Sequence, residues 1–244
     1  MFPADCRVCG QPLDRATRVP VCAQCLAEPE HLSADYFCIQ CRTPFLNPYP
    51  LDDNGRCRLC RAGVRGPREV YCFGAYEGRL RALIHLFKYE GFRPLARPLG
   101  RWLRRALPLD RVYDAVIPVP LHWRRRWSRG FNQSELLASE LSRARGLPLV
   151  RGVRRRKQTT TQTGLTHAQR RENVRGAFEI TRPAEIAGKK ILLVDDVMTT
   201  GATADACASA LVRAGALSVT VLTLARVDRR YAAAAQPAVG SSNA

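Results

Sequence analysis

Residues Lys190 to Thr203 constrain this chain more than any other stretch. Lys190-Ile191-Leu192-Leu193-Val194 is an aliphatic, β-branched run of the kind that forms a strand buried on both faces. At its carboxyl end stand two adjacent carboxylates, Asp195 and Asp196, and after Val197 and Met198 comes the small-residue turn Thr199-Thr200-Gly201-Ala202-Thr203. Neighbouring carboxylates are costly to desolvate and add nothing to a core, so they require a cation or a polar ligand. Beyond the turn, Ala204, Ala208, Leu211 and Val212 mark one face of a helix that stops at Gly215. A strand, a Thr/Gly turn and a helix N-terminus make an anion cradle. Backbone N–H groups and the positive end of the helix dipole face a phosphate, and threonine hydroxyls add donors. The carboxylates beside it suit hydroxyl groups, as acceptors. Phosphate at one end and vicinal hydroxyls at the other describe a ribose 5-phosphate.

The string Ile191 to Thr203 resembles, along its whole length, the motif with which type I phosphoribosyltransferases bind 5-phosphoribosyl 1-pyrophosphate (PRPP). The resemblance implies that Asp195 and Asp196 hold the ribose hydroxyls as the catalytic carboxylates. It likewise assigns Thr199, Thr200, Gly201, Ala202 and Thr203 to the 5-phosphate. The bland alternative is an ordinary strand-to-helix turn with a solvated Asp pair.

Eight of the ten cysteines fall in four Cys-x-x-Cys pairs: Cys6/Cys9, Cys22/Cys25, Cys38/Cys41 and Cys57/Cys60. Two residues between thiolates let both sulfurs reach one tetrahedral ion, and two such pairs fill its coordination. Eight ligands therefore predict two structural zinc sites of four cysteines each. The first 64 residues are too short and turn-rich to build a core, so metal supplies their folding energy. Sequential pairing (6/9 with 22/25, 38/41 with 57/60) is the expectation; a cross-braced pairing (6/9 with 38/41) is also compatible with the spacing. His31 is expected in a linker between pairs, and Cys72 and Cys207 as buried, inert thiols. No secretory signal follows Met1, and no apolar run is long enough to span a bilayer, so the expected location is the cytoplasm, without membrane insertion.

The net charge of +18 is uneven. Residues 1–64 hold seven Arg and seven Asp or Glu, so the whole excess lies in the remainder, and only four of the basic residues are lysines. Guanidinium groups bind phosphate bidentately, which suits an anionic ligand or nucleic acid, although a GC-rich coding bias also enriches Arg and Ala.

Strand patterns at Val70–Tyr76, Tyr113–Val119 and Ser218–Leu224 alternate with helical ones. Leu80, Leu83, Ile84 and Phe87 recur at helical spacing with Lys88 largely off that face; a second helix follows Pro94, and a third covers Asn132–Arg145. The fold class is thus α/β, a parallel sheet flanked by helices and preceded by a small double zinc-ribbon module, with ligands at the strands' carboxyl ends. The boundaries expected are 1–64 for the ribbons, 65–231 for the phosphoribosyltransferase-like domain and 232–244 for a flexible tail, with a Gly/Arg linker from Arg61 to Pro67.

Two further segments carry chemistry. After the Tyr113 strand, Arg124, Arg125, Arg126 and Arg129 interleave with Trp123, Trp127 and Phe131. That pattern suits a pyrophosphate, with Arg124, Arg126 and Arg129 the candidates, or a single nucleic-acid strand whose bases stack. In the alternative, the Trp pair packs inward and the arginines merely solvate a helix start. Arg154 to Phe178 is long and polar, the composition of a lid or binding loop; His167 and Lys157 lie in it, but neither makes a convincing general base.

Together the cysteine pairs, Phe87-Lys88-Tyr89, Val119-Pro120, Arg129-Gly130-Phe131-Asn132-Gln133, Gln162–Phe178 and the Asp-Asp motif resemble the ComF/GntX family, over nearly the whole chain. The resemblance implies zinc ribbons on a phosphoribosyltransferase-like domain, PRPP with Mg2+, and a link to DNA uptake in natural transformation. No motif for a purine or pyrimidine acceptor is recognisable. Three functions compete: a transferase using PRPP, a PRPP sensor without chemistry, and a single-stranded DNA-binding factor whose ribbons dock a protein partner.

Overall fold

The computed structural model describes residues 5–13, 18–27, 29, 31–32, 34–45, 47–63, 69–156, 174 and 176–227. The elements run α1 (Ala23–Ala27), β1 (Tyr36–Phe37), β2 (Pro44–Phe45), α2 (Arg58–Arg61), β3 (Glu69–Ala75), α3 (Gly78–Tyr89), α4 (Ala96–Ala106) and β4 (Ala115–Pro118). They continue with α5 (Trp123–Arg129), α6 (Gln133–Arg145), β5 (Val153–Arg155), β6 (Phe178–Ile180), β7 (Lys190–Met198), α7 (Ala202–Arg213) and β8 (Ser218–Arg226).

Four parallel strands lie in the order β3-β8-β7-β4. β7 pairs with β8 from Lys190↔Ser218 to Met198↔Arg226, and with β4 from Ala115↔Ile191 to Pro118↔Val194. Side chains alternate across the sheet, and each face has its own core. Leu192, Val194, Leu222 and Leu224 meet α3, α4 and α6 through Leu83, Phe87, Leu99, Leu103, Leu137 and Leu141. Ile191, Leu193, Val219 and Val221 meet α7 through Cys207, Ala208 and Leu211. A β-strand rich in Ile, Leu and Val with no polar alternation is what burial on both faces requires.

The expected helices and strands are present with shifted ends. β7 runs on through the Asp pair to Met198, four residues past the aliphatic run. β4 is shorter than its apolar pattern, ending at Pro118. On α7, Ala204, Ala208 and Leu211 are buried as expected, but Val212 is exposed and Cys207 completes the stripe; successive residues turn by about 100°, which carries position 212 off the face. Gly146 caps α6 in the left-handed conformation (φ +65°), and Asn132 accepts the Ser134 amide at the other end.

The front of the chain is not a free appendage. Cys6, Leu13, Val21 and Cys25 belong to the same buried cluster as Phe73, Leu80 and Trp102. The Leu32 amide donates to the Phe73 carbonyl (2.6 Å), Phe73 stacks on Trp102 with centroids 5.3 Å apart, and His31 sets its edge against Phe73 at 5.8 Å. By contrast Cys38, Cys41, Cys57 and Cys60 form a small cluster of their own with Phe45, Leu51 and Leu59. Cys72 is half-buried in β3, where burial pushes its thiol up.

β5 and β6 pair antiparallel, from Val153↔Ile180 to Arg155↔Phe178, and so bring together the two ends of the polar segment expected as a lid. Most of that segment, with Lys157 and His167, lies outside the described residues, as do part of the Arg61–Pro67 linker and the tail from 232.

Candidate functional site

Parallel strands place all their carboxyl ends on one edge of the sheet, and a cavity of about 880 Å³ opens there. Asp195 to Thr199 and Gly201 to Ala204 form one wall, Tyr76 and Lys88 to Gly91 a second, and Val119 to Leu121 with Arg125, Ser128, Arg129 and Arg155 a third.

The phosphate-cradle wall is built by backbone geometry. Gly201 caps α7 in the left-handed region (φ +83°, ψ −2°), a conformation that favours glycine. Thr200 Oγ1 accepts the Ala202 amide (3.3 Å) and the Asp205 amide closes onto the Gly201 carbonyl (2.8 Å). The helix start thus faces the cavity.

The acidic pair is heavily bonded. Asp195 Oδ1 accepts from Ser134 Oγ and from the Asp196 amide, both at 2.9 Å. Asp196 Oδ1 accepts the Val197 amide at 2.6 Å and stands 2.9 Å from Lys88 Nζ. Desolvation, reinforced by the Asp196 charge, pushes the Asp195 carboxyl up to about 7, while Lys88, the Asp196 amide and Ser134 pull the other way. Burial alone would depress the Lys88 ammonium; the Asp196 and Asp195 charges outweigh it and hold Lys88 above the ordinary lysine value.

The third wall is cationic. The Arg129 guanidinium lies 4.9 Å over the Tyr89 ring and donates to Gln133 Oε1 (3.3 Å). Arg155, only 4 residues of sequence from Arg151 but on β5, is buried and lies 5.5 Å over the Phe178 ring. Burial and the Arg125 charge lower its pKa, against the opposing pull of Asp195. His122 caps α5, its Nδ1 accepting the Arg124 amide at 3.4 Å.

Of the residues expected in the site, Asp195, Asp196, Thr199, Gly201, Ala202, Thr203 and Arg129 line the cavity, and Thr200 does not line it but accepts the amide of Ala202, which does. Arg124 and Arg126 do not line it: Arg124 lies 5.2 Å over Trp123, and Arg126 stands 3.8 Å from Glu135. The two tryptophans do not pack inward, being 57% and 82% exposed. Sequence reasoning missed Lys88, Ser134, Arg125 and Arg155. Lys88 carried a signal, since it is one of four lysines in a chain otherwise basic through arginine. Ser134 and Arg155 carried none, because their approach to the Asp pair depends on how α6 and β5 pack.

The cysteines group sequentially. Cys6, Cys9, Cys22 and Cys25 bring their sulfurs within 4.8 Å of one another, and so do Cys38, Cys41, Cys57 and Cys60. Backbone amides donate to the sulfurs, Cys22 to Cys6 and Cys57 to Cys38, each at 3.3 Å. Burial resists ionisation of Cys6, but the amides of Cys22, Cys9 and Val8 outweigh it and bring this thiol down to about 6. Burial and the Cys41 charge push Cys60 up to about 12. Four crowded thiols ionise together only around a cation, and a four-sulfur donor set fits a tetrahedral soft or borderline ion, so both groups could form zinc sites.

Among the described residues no helix is long and apolar enough to cross a membrane. The model of the phosphoribosyl transferase domain matches residues 128–242. "Competence protein F" of Haemophilus influenzae is 37% identical over 65% of this chain and 72% of its own length. "DNA utilization protein YhgH" of Salmonella typhimurium is 31% identical over 92% of this chain and 97% of its own. Among solved structures, the allosteric regulatory enzyme of purine biosynthesis matches at 23% identity and a TM-score of 0.39, over 54% of this chain and about a quarter (26%) of that one. With a phosphoribosyltransferase-type parallel sheet behind two four-cysteine groups, and with these relatives, the chain belongs to the ComF/GntX family.

Proposed function

We propose that the cavity binds PRPP, and that the protein transfers or senses its phosphoribosyl group as part of DNA uptake in the cytoplasm. The observation that carries this reading is the meeting, in one cavity, of a helix-start cradle, an acidic pair and a cationic wall. The 5-phosphate takes the Thr199–Thr203 turn, and the ribose hydroxyls donate to Asp195 and Asp196. The pyrophosphate faces Arg129, joined by Arg125 and Arg155, which fit the cavity better than Arg124 and Arg126. Departure of pyrophosphate leaves positive charge on the ribosyl ring, and carboxylates fixed beside that ring stabilise it without reorganising. Mg2+ bound to the pyrophosphate would neutralise the leaving group. The cysteine groups hold one Zn2+ each, making residues 1–64 the metal module, 65–231 the PRPP domain and 232–244 a tail. The second group exposes Ile39 and Tyr49, a surface for a protein partner.

Calorimetric titration of the zinc-loaded protein with PRPP, with and without Mg2+, tests the reading. Binding is expected, weakened at least tenfold by Asp195→Ala; unchanged affinity in that variant would sink the assignment. Release of pyrophosphate on adding candidate acceptors then separates a transferase from a sensor.

A second reading rests on the exposed Trp123 and Trp127 with Arg124 over the Trp123 ring. Aromatic faces beside guanidiniums stack bases and neutralise phosphates, so α5 would grip single-stranded DNA outside the PRPP cavity. Removing both Arg124 and Arg126 should then flatten the salt dependence of DNA binding by roughly 1.4 units of log–log slope, while PRPP binding persists.

A further inference from the structure

Lys88 is used by neither reading, yet it is the cation in closest contact with the acidic pair. It sits in the last turn of α3, one residue before the helix ends, between the buried Phe87 and the exposed Tyr89. Its side chain is only 13% exposed, as is fitting for a residue at the cavity wall, and its Nζ lies 2.9 Å from Asp196 Oδ1. The Gln133 side chain approaches the Lys88 carbonyl at 3.5 Å, tying this turn to the start of α6. From that start Ser134 reaches Asp195. On each carboxylate one oxygen, Oδ1, is engaged by the protein itself: Lys88 and a backbone amide on Asp196, Ser134 and a backbone amide on Asp195.

A divalent ion bound directly by either oxygen of Asp196 would share that carboxylate with the Lys88 ammonium. Two positive charges on one buried carboxylate repel strongly at low dielectric, and Mg2+ gives up its waters reluctantly. The pair does not fit a resident Mg2+.

We propose that Lys88 is a built-in counter-cation that excludes divalent metal from the Asp195–Asp196 pair and leaves it free to accept ribose hydroxyls. A metal would then enter only on the ligand's own pyrophosphate. An ammonium carries three N–H donors, so Lys88 can hold Asp196 and still donate to an oxygen in the cavity. Lys88 is a positioning residue for the carboxylates. Only the last consequence, for PRPP, rests on the reading above.

The test is Mn2+ titration of the zinc-loaded full chain at pH 8, followed by electron paramagnetic resonance, without PRPP. Wild type and Lys88→Arg should show no Mn2+ site that Asp196→Asn removes. Lys88→Met, with the melting temperature checked, should gain one that is at least tenfold tighter than any wild-type binding and is lost in the Lys88→Met/Asp196→Asn double variant. A wild-type Mn2+ site abolished by Asp196→Asn would overturn the proposal, and this arm holds even if Lys88→Met fails to fold. So would a folded Lys88→Met that gains no site. With PRPP present, Lys88→Met should depend on Mg2+ at least tenfold more steeply than wild type. If no variant binds PRPP the functional reading falls, while the Mn2+ arm still decides the role of Lys88.

Discussion

The two four-cysteine groups have the same ligands and nearly the same spacing, yet they are attached to the molecule in different ways. The first shares its interior with the main core: Cys6 and Cys25 are buried among the residues that pack Phe73 and Trp102. The second has its own small cluster and, among the described residues, is fastened by a polar clamp. Arg226, at the end of β8, is buried and donates to the Arg42 carbonyl (2.8 Å), the Cys41 carbonyl (3.4 Å) and Thr43 Oγ1 (3.0 Å). The Arg42 guanidinium in turn lies 4.9 Å over the Phe37 ring, and its φ of +52° marks the tight turn after Cys41. Apolar burial ties the first cysteine group to the domain's cooperative unit, whereas hydrogen bonds hold the second, which is the arrangement expected to open more independently.

That contrast predicts an ordered series of losses. Cys25→Ser, which empties the first site, should unfold the whole chain, a loss on the order of 5 kcal/mol or more; a single thermal transition lowered by tens of degrees or absent checks it. Cys57→Ser should release about one zinc and expose residues 36–61 to hydrogen exchange, while β7, β8 and α6 keep their protection. Equal damage from the two substitutions would break the comparison. Arg226→Met should cost about 2 kcal/mol in protection of the second group alone, the value of hydrogen bonds from a charged donor. Limited proteolysis between Cys38 and Cys60, with zinc retained, checks that outcome.

A smaller effect is set by pH. Asp195 titrates at about 7 when folded against 3.8 for an ordinary aspartate. Between those values the folded chain keeps a proton that the unfolded chain has lost, so this group's stabilisation is full below about pH 4 and is lost as pH rises to about 7. Asp195→Asn removes the slope. The difference between wild type and variant, followed by thermal melting from pH 5 to 7.5, should appear in the unit that contains the first cysteine group and not in the second.

Much of this was legible along the chain. Four Cys-x-x-Cys pairs announce two four-sulfur sites because ligand spacing is a local property, and the cradle motif is local too, since its amides and its carboxylates lie within nine residues. The arginines were harder. Seven residues of α5 carry four of them, and sequence cannot say which side of a short, mostly exposed helix faces the cavity, so Arg125 was overlooked in favour of Arg124 and Arg126. Whether the two tryptophans pack inward likewise depends on how that helix is placed; both are exposed.

The sequence by itself determined the strand that ends in Asp195-Asp196, the glycine at the left-handed helix start, and the eight sulfurs, because each follows from backbone or ligand geometry within a few residues. Only the tertiary structure decided what surrounds the acidic pair. Lys88 and Ser134 reach it from α3 and α6, and the Arg155 charge acts on it from β5; these elements lie 40 to 108 residues away in the chain, and approaches of that range are set by how helices pack on a sheet, a matter on which local pattern is silent.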